Sequence, residues 1–347
     1  MSGVQTITLD AEAEGQRLDR WIRKSFPQIT QGRIEKMCRK GEVRLDGGRV
    51  KSNSRLAEGQ VLRLPPLPDA DAPAVHTRPQ VSDADAQMIR DAVMWKDEHV
   101  IVLNKPAGLA VQGGSGQTRH IDGMADAIRF DADTPPRLVH RLDRDTSGVL
   151  IMARTGRAAA ALARGFQARR TRKIYWAVVA GMPNPRAGTI HYGLVKSGGH
   201  GPNGAGEKMI AVHPNQVNTT EGAKRAVSDY MVMEGAGQRA AWVALSPITG
   251  RTHQLRVHMA EIGHPIIGDG KYGGNSQTNE GDGWGAQLGG AISRKLHLHA
   301  RSVFIQHPVD GSALSFTAPL SEHMARTWDT FGWETKGVAG DPFEELE

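Results

Sequence analysis

The stretch LVHRLDRDTSGVLIMAR, residues 138–154, sets the reading of the chain. Charged residues crowd its first half, Thr-Ser-Gly follows, and an apolar run then reads as a strand. A polar loop at a strand entrance is where a rigid scaffold can hold reactive groups. Asp143 and Asp145 are the carboxylates of this loop, with Arg141 and Arg144 flanking Asp143. Nearby guanidinium groups favour the ionised carboxylate, which is the nucleophilic form. On these residues alone, a solvated turn competes with a catalytic loop.

Strand patterns continue on both sides of it. DEHVIVLNKPAG (97–108) reads as an apolar strand ending in a Pro/Gly turn, and RKIYWAVVAG (172–181), AVSDYMVME, RAAWVALSP, RSVFIQHP and ALSFTAPL follow. Helical spacing interrupts them at 156–169, 252–263 and 320–331. Strands without a regular βαβ alternation predict an α+β domain with a mixed, largely antiparallel sheet flanked by helices and loops. Gly-rich stretches at 197–206 and 273–290 read as long surface loops. GPNGAGEK (201–208) is not a phosphate-binding loop, because Lys208 falls one place late and Met209 replaces the required Ser/Thr.

The N-terminal segment has a different character. Residues 1–64 hold 13 Lys/Arg against 8 Asp/Glu, a balance of +5 out of +6 for all 347 residues. In GQRLDRWIRKSF, Leu18, Trp21 and Ile22 form one helical apolar stripe, and Arg17, Arg20 and Lys24 share another face. In TQGRIEKMCRKGEV, Ile34, Met37 and Cys38 repeat the spacing, with Arg33, Lys36 and Lys40 opposite. Thr30 suits the N-cap and Gly41 the stop, and Asp46-Gly47 favours a tight hairpin. A basic module beside a near-neutral body points to a polyanion, nucleic acid first. The expected organisation is a basic module at 1–64, a Pro/Ala/Asp-rich linker at 65–90, a main domain at 91–333 and a flexible acidic tail at 334–347.

Several classes fall away. No run of eighteen apolar residues suits a membrane span, and the N-terminus lacks the pattern of a secretory signal. The lone Cys38 cannot form an internal disulfide, which fits a cytoplasmic protein. His253, His258 and His264 are spaced by five and six, without metalloprotease logic, and the Asp143/Asp145 pair reads as a loop rather than a cation site, so no metal is expected. No heptad seam appears, and a monomer is expected.

Two resemblances add to this reading. GQRLDRWI, QGRIEKMCRKGEVRLDG and LAEGQVLRLP together resemble the S4 RNA-binding domain. HRLDRDTSGVL resembles the signature loop of the RluA-type pseudouridine synthases, most closely the RluC-like branch. DEHVIVLNKPAGLAVQ (97–112), RKIYWAVVAG and GRTHQLRVHMAEIGHPIIGDGKYG (250–273) match further family segments in the same order. The resemblance implies a pseudouridine synthase catalytic domain, with Asp143 as the catalytic aspartate and Arg256 as its guanidinium partner. It implies that Tyr175 walls the base, Lys173 lines the cleft and Arg141 fills the space of a base drawn from its stack. RNA contacts would come from Arg17, Arg20, Arg33, Lys36 and Lys40. The implied reaction breaks the C1′–N1 bond of a uridine and rejoins the uracil through C5. That change is redox-neutral and implies neither a cofactor nor a nucleotide. Burial against a uracil would favour the neutral acid of Asp143, and Arg256 would oppose this, bidentately if geometry allows. The S4-like module favours 23S ribosomal RNA in assembling large subunits; transfer RNA, or a non-catalytic assembly factor, are the alternatives.

Overall fold

A computed structural model describes residues 3–67, 81–113, 117–168, 171–197, 208–273 and 291–344. The chain divides into two compact units, Met1–Arg78 and Pro79–Glu347.

In the first unit, β1 (Gln5–Thr8) precedes α1 (Leu18–Ser25) and α2 (Gln31–Lys40), followed by β2 (Arg44–Leu45), β3 (Gly48–Arg49) and β4 (Val61–Leu64). The strands form a sheet in the order β1-β4-β2-β3. Thr30 caps α2 by accepting the Arg33 N–H, and Gly41 ends it at φ 71°. Asp46 and Gly47 take φ 49° and 77°, the left-handed pair a two-residue hairpin requires. The expected helical stripes meet as one core of Leu18, Ile22, Ile34, Met37 and Cys38 with Leu62 and Leu64.

The second unit opens with α3 (Asp83–Asp91), β5 (Val93–Lys96), β6 (Val100–Lys105), α4 (Ile121–Met124), β7 (Arg137–Leu138), β8 (Ser147–Ala153) and α5 (Gly156–Gln167). It continues with β9 (Arg172–Ala180), β10 (Ala187–Lys196), β11 (Met209–Val212), β12 (Lys224–Ala236), β13 (Ala240–Pro247), α6 (Gln254–Glu261), β14 (Leu298–Gln306), β15 (Ala313–Thr317) and α7 (Glu322–Phe331). One sheet runs β11-β10-β12-β13-β9-β14-β8-β6-β5, with β15 on β14 and β7 on β8. Among the described residues every pairing in it is antiparallel except β8 with β14, so the expected mixed, largely antiparallel sheet is what forms. The parallel pair lies directly after the 138–147 loop. There Gly148 sits at φ 108°, and a Cβ would come within 2.2 Å of the Ala300 carbonyl oxygen. Only glycine lets the two strands close at that point.

Two expected boundaries change. The linker ends early: Ser82 accepts the Asp85 N–H at 3.1 Å and starts α3, whose Ile89 is buried. The Asp- and Ala-rich composition hid that helix; residues 68–80 of the linker lie outside the described residues. The tail at 334–347 is not free as far as Glu344. Asp341 pairs with Arg172 at 2.6 Å, and Phe343 joins the buried cluster of Trp176, Trp242, Trp328 and Trp333. The two expected Gly-rich loops lie outside the described residues apart from Ser197 and Gly273. No helix among the described residues is long and apolar enough to cross a membrane.

Helix α6 is buried on nearly every side, from Gln254 through Met259. His258 is fully buried, and neither ring nitrogen meets a hydrogen-bond partner among the described residues. Burial, helped by nearby His191, lowers its pKa to about 4. A histidine held neutral in the fold but free to ionise when unfolded stabilises fully above about pH 6.5, and that stability drains away as pH falls toward 4. His258→Leu is therefore expected to gain about 2 kcal/mol more over wild type at pH 5 than at pH 7.5, read from urea midpoints. An equal difference at both pH values would contradict a neutral buried His258.

Candidate active site

The polar loop between β7 and β8 lies along one side of a cleft of about 830 Å³. Asp143, Arg141, Lys173, Tyr175, His253 and Arg256 all line it, although they come from three segments spread over more than a hundred residues of sequence. Lys105, at the end of β6, anchors the loop from beneath. It is completely buried, and its ammonium donates to the carbonyls of Pro106 (2.8 Å), Leu109 (2.7 Å) and Arg144 (2.8 Å). Burial pushes its pKa down to about 7, with Asp145 and Asp143 opposing. Three carbonyls need three N–H donors, which only the protonated amine has, so the geometry favours the charged form. His140 fixes the loop's other end: its Nε2 accepts the Ile151 N–H at 2.9 Å, and its ring stacks 4.4 Å from Phe166. Burial, with Lys173 nearby, keeps that imidazole neutral by lowering its pKa to about 3.

Asp143 is partly exposed to the cleft, its side chain at 22%. The arginines expected to flank it turn elsewhere: Arg144 pairs with Asp145 at 3.0 Å, and Arg141 is exposed on the cleft wall. The guanidinium that reaches Asp143 is Arg256, with Nη1 3.8 Å from Oδ2. The expectation of bidentate pairing between these two needs correcting. The bidentate partner of Arg256 is Asp269, with Nε to Oδ2 and Nη2 to Oδ1 both at 2.7 Å. The Asp269 side chain is fully buried, and its two short bonds hold the arginine in place. Arg256 also lies 5.2 Å from the Tyr272 ring centre.

Tyr175 stands half-buried on β9, and burial together with the Asp143 charge holds its hydroxyl protonated well above the usual range. Burial lowers the pKa of the Lys173 ammonium. Among the described residues no group of three or more His, Cys, Asp or Glu side chains is arranged to hold a metal ion. Of the basic residues expected in the first unit, Arg20, Arg33, Lys36 and Lys40 are exposed, the last three on one face of α2. Arg17 instead precedes α1 and is engaged by buried Asp19 through two hydrogen bonds, at 3.1 and 2.6 Å.

Three residues of the site carried no role in the sequence reading: His253, Asp269 and Tyr272. The spacing of His253 from the other histidines argues only against a metal site, and the other two residues lie in GDGKYG with no local periodicity to single them out.

Residues 99–261 match the RNA pseudouridylate synthase family, and residues 16–62 match the S4 domain. The chain belongs to the pseudouridine synthase family, as an RNA-modifying isomerase with an S4 domain. Its relatives include ribosomal large subunit pseudouridine synthase C of Yersinia pestis, 35% identical across 92% of this chain and 93% of that protein. The protein of the same name from Escherichia coli K12 is 33% identical across 93% and 95%. Among solved structures, human RNA pseudouridylate synthase domain containing 4 superposes with a TM-score of 0.56 at 27% identity, over 72% of this chain and 96% of that one.

Proposed function

We propose that this chain converts specific uridines of 23S ribosomal RNA to pseudouridine, with Asp143 as the reacting carboxylate. The observation that carries the reading is a carboxylate open to a cleft, backed by a buried guanidinium whose own charge is already satisfied. Arg256, 3.8 Å from the carboxylate, places a positive charge beside the group that must meet the uracil. The reaction breaks C1′–N1, forms C1′–C5, removes the C5 proton and places one on N1. Asp143 starts it, as a nucleophile or as a base. The base must first leave its stack, at a cost of a few kcal/mol. Tyr175, a protonated aromatic on the cleft wall, offers it a stacking face, and Arg141 at the exposed edge is suited to the vacated space. Lys173 adds positive charge for the phosphate backbone. Substrate choice follows the relatives of this length, whose names place their action on the large ribosomal subunit.

Two sets of residues divide the work. Arg256→Met should lower turnover far more than RNA affinity. Arg33→Ala and Lys36→Ala should weaken RNA binding while sparing single-turnover rate, each reducing the salt slope of binding by about one. Equal losses of turnover and affinity in all three variants would end this division. The reading as a whole is tested by mapping pseudouridine in cells with and without the gene. Defined 23S positions should lose the mark and regain it on complementation with wild type. Loss confined to transfer RNA would replace the substrate, and an unchanged map with defective ribosome assembly would replace the activity.

A further inference from the structure

His253 has no part in the roles above, yet its backbone is held in a conformation few residues adopt. It stands immediately before α6 in the left-handed region at φ 54°, without a capping hydrogen bond. A non-glycine residue there costs about 1–2 kcal/mol and persists only where its surroundings impose it. The surroundings are specific at both ring nitrogens. Nδ1 lies 2.7 Å from the Tyr272 hydroxyl, and Nε2 lies 3.9 Å from Oδ2 of Asp143.

The neighbours of the two nitrogens favour one tautomer. The Met209 backbone N–H donates to the Tyr272 oxygen at 3.0 Å and can do nothing else. The hydroxyl of Tyr272 can donate to Nδ1 of His253, and the carboxylate beyond Nε2 favours that arrangement because it keeps the ring proton on Nε2. The opposite tautomer would aim a lone pair at Asp143. Burial is the main cause that keeps the ring neutral; Arg256 and Lys271 act in the same direction, and Asp143 and Asp269 oppose it. Arg256 Nη1 and His253 Nε2 approach the same atom, Oδ2 of Asp143, at 3.8 and 3.9 Å.

We propose that His253 is a positioning residue: a neutral N–H donor, with its tautomer set by Tyr272, that shares Oδ2 of Asp143 with Arg256 and leaves Oδ1 to react with the uridine. The inference rests on the assignment of Asp143 as the reacting group. At 3.9 Å the contact is longer than a hydrogen bond, and the proposed role requires it to shorten once RNA is bound, as catalytic contacts in free enzymes commonly do.

The test combines single-turnover kinetics on a 23S fragment with nitrogen-15 NMR of histidine-labelled full-length protein. His253→Ala should slow the chemical step about 10- to 100-fold, the range a hydrogen bond to a charged group is worth, with RNA affinity within about twofold. His253→Gln, whose amide restores an N–H near the Nε2 position, should recover most of that loss. The wild-type spectrum should show His253 protonated on Nε2, and Tyr272→Phe should convert it to a mixture of tautomers. An Nδ1-protonated ring in wild type, or a His253→Ala rate equal to wild type, overturns the proposal, and the spectrum decides even if the alanine variant does not fold. Asp143→Asn measured alongside separates the two levels. If it keeps activity, the assignment of Asp143 fails; if it is dead while His253→Ala is fully active, only the role of His253 fails.

Discussion

Asp143→Asn is expected to lower the single-turnover rate on a 23S fragment by about 10⁴-fold or more, the scale on which an essential reacting group is lost. RNA affinity should stay within about twofold, and the melting temperature should not fall. The amide keeps the shape of the side chain but can neither attack nor take up a proton. The stability part of the expectation comes from the geometry of Arg256. Its two short bonds go to Asp269, and its contact with Asp143 is 3.8 Å long, so neutralising Asp143 leaves no buried charge without a partner. The cleft loop should also hold its place, because Lys105 and His140 grip it through backbone groups on either side. A variant that keeps more than a few per cent of the wild-type rate would remove Asp143 from the chemistry. One that loses rate only in step with RNA affinity would make Asp143 a binding residue.

How much of this was legible in the sequence depended on whether the cause was local. Apolar runs such as GVLIMAR and RKIYWAVVAG report burial on both faces of a strand, and each became a central strand, β8 and β9. Caps at Thr30 and Gly41 and the turn at Asp46-Gly47 are chemistry between near neighbours, and they stood where expected. Strand β10 went unread because its exposed and buried residues follow no clean alternation, and β11 has only four residues. Helix α3 was lost inside an Asp- and Ala-rich stretch where a single buried residue, Ile89, faces the core. The site shows the same division. Asp143, Tyr175 and Arg256 sit in recognisable segments. That Arg256 spends its bidentate geometry on Asp269 depends on a turn of the chain thirteen residues away, which no periodicity encodes. Arg17 shows the converse: a basic residue on a helical stripe gives no sign of its pairing with Asp19, two residues on.

Asp269→Asn should be the most destabilising conservative change in the site. Arg256 is buried, and its charge is met at 2.7 Å twice by a carboxylate that is itself fully buried. Removing one partner of such a pair costs about 3–5 kcal/mol, because the remaining charge is left without compensation. In a domain of this size that corresponds to a fall in melting temperature of roughly 10 °C. The Asp269 carboxylate also accepts the backbone N–H groups of Lys271 (2.9 Å) and Tyr272 (3.2 Å), so the turn that carries Tyr272 should loosen with it. Turnover should fall too, since an arginine without its anchor is drawn onto Asp143 and closes over the carboxylate that must meet the uridine. The double variant Arg256→Met/Asp269→Leu separates these effects. Replacing a whole buried ion pair by apolar side chains is often neutral for stability, so most of the melting temperature should return while activity does not. If the single variant melts like wild type, Asp269 is not the counter-charge its distances imply. If the double variant is active, Asp143 does not depend on a guanidinium, and the site works by some other balance of charge.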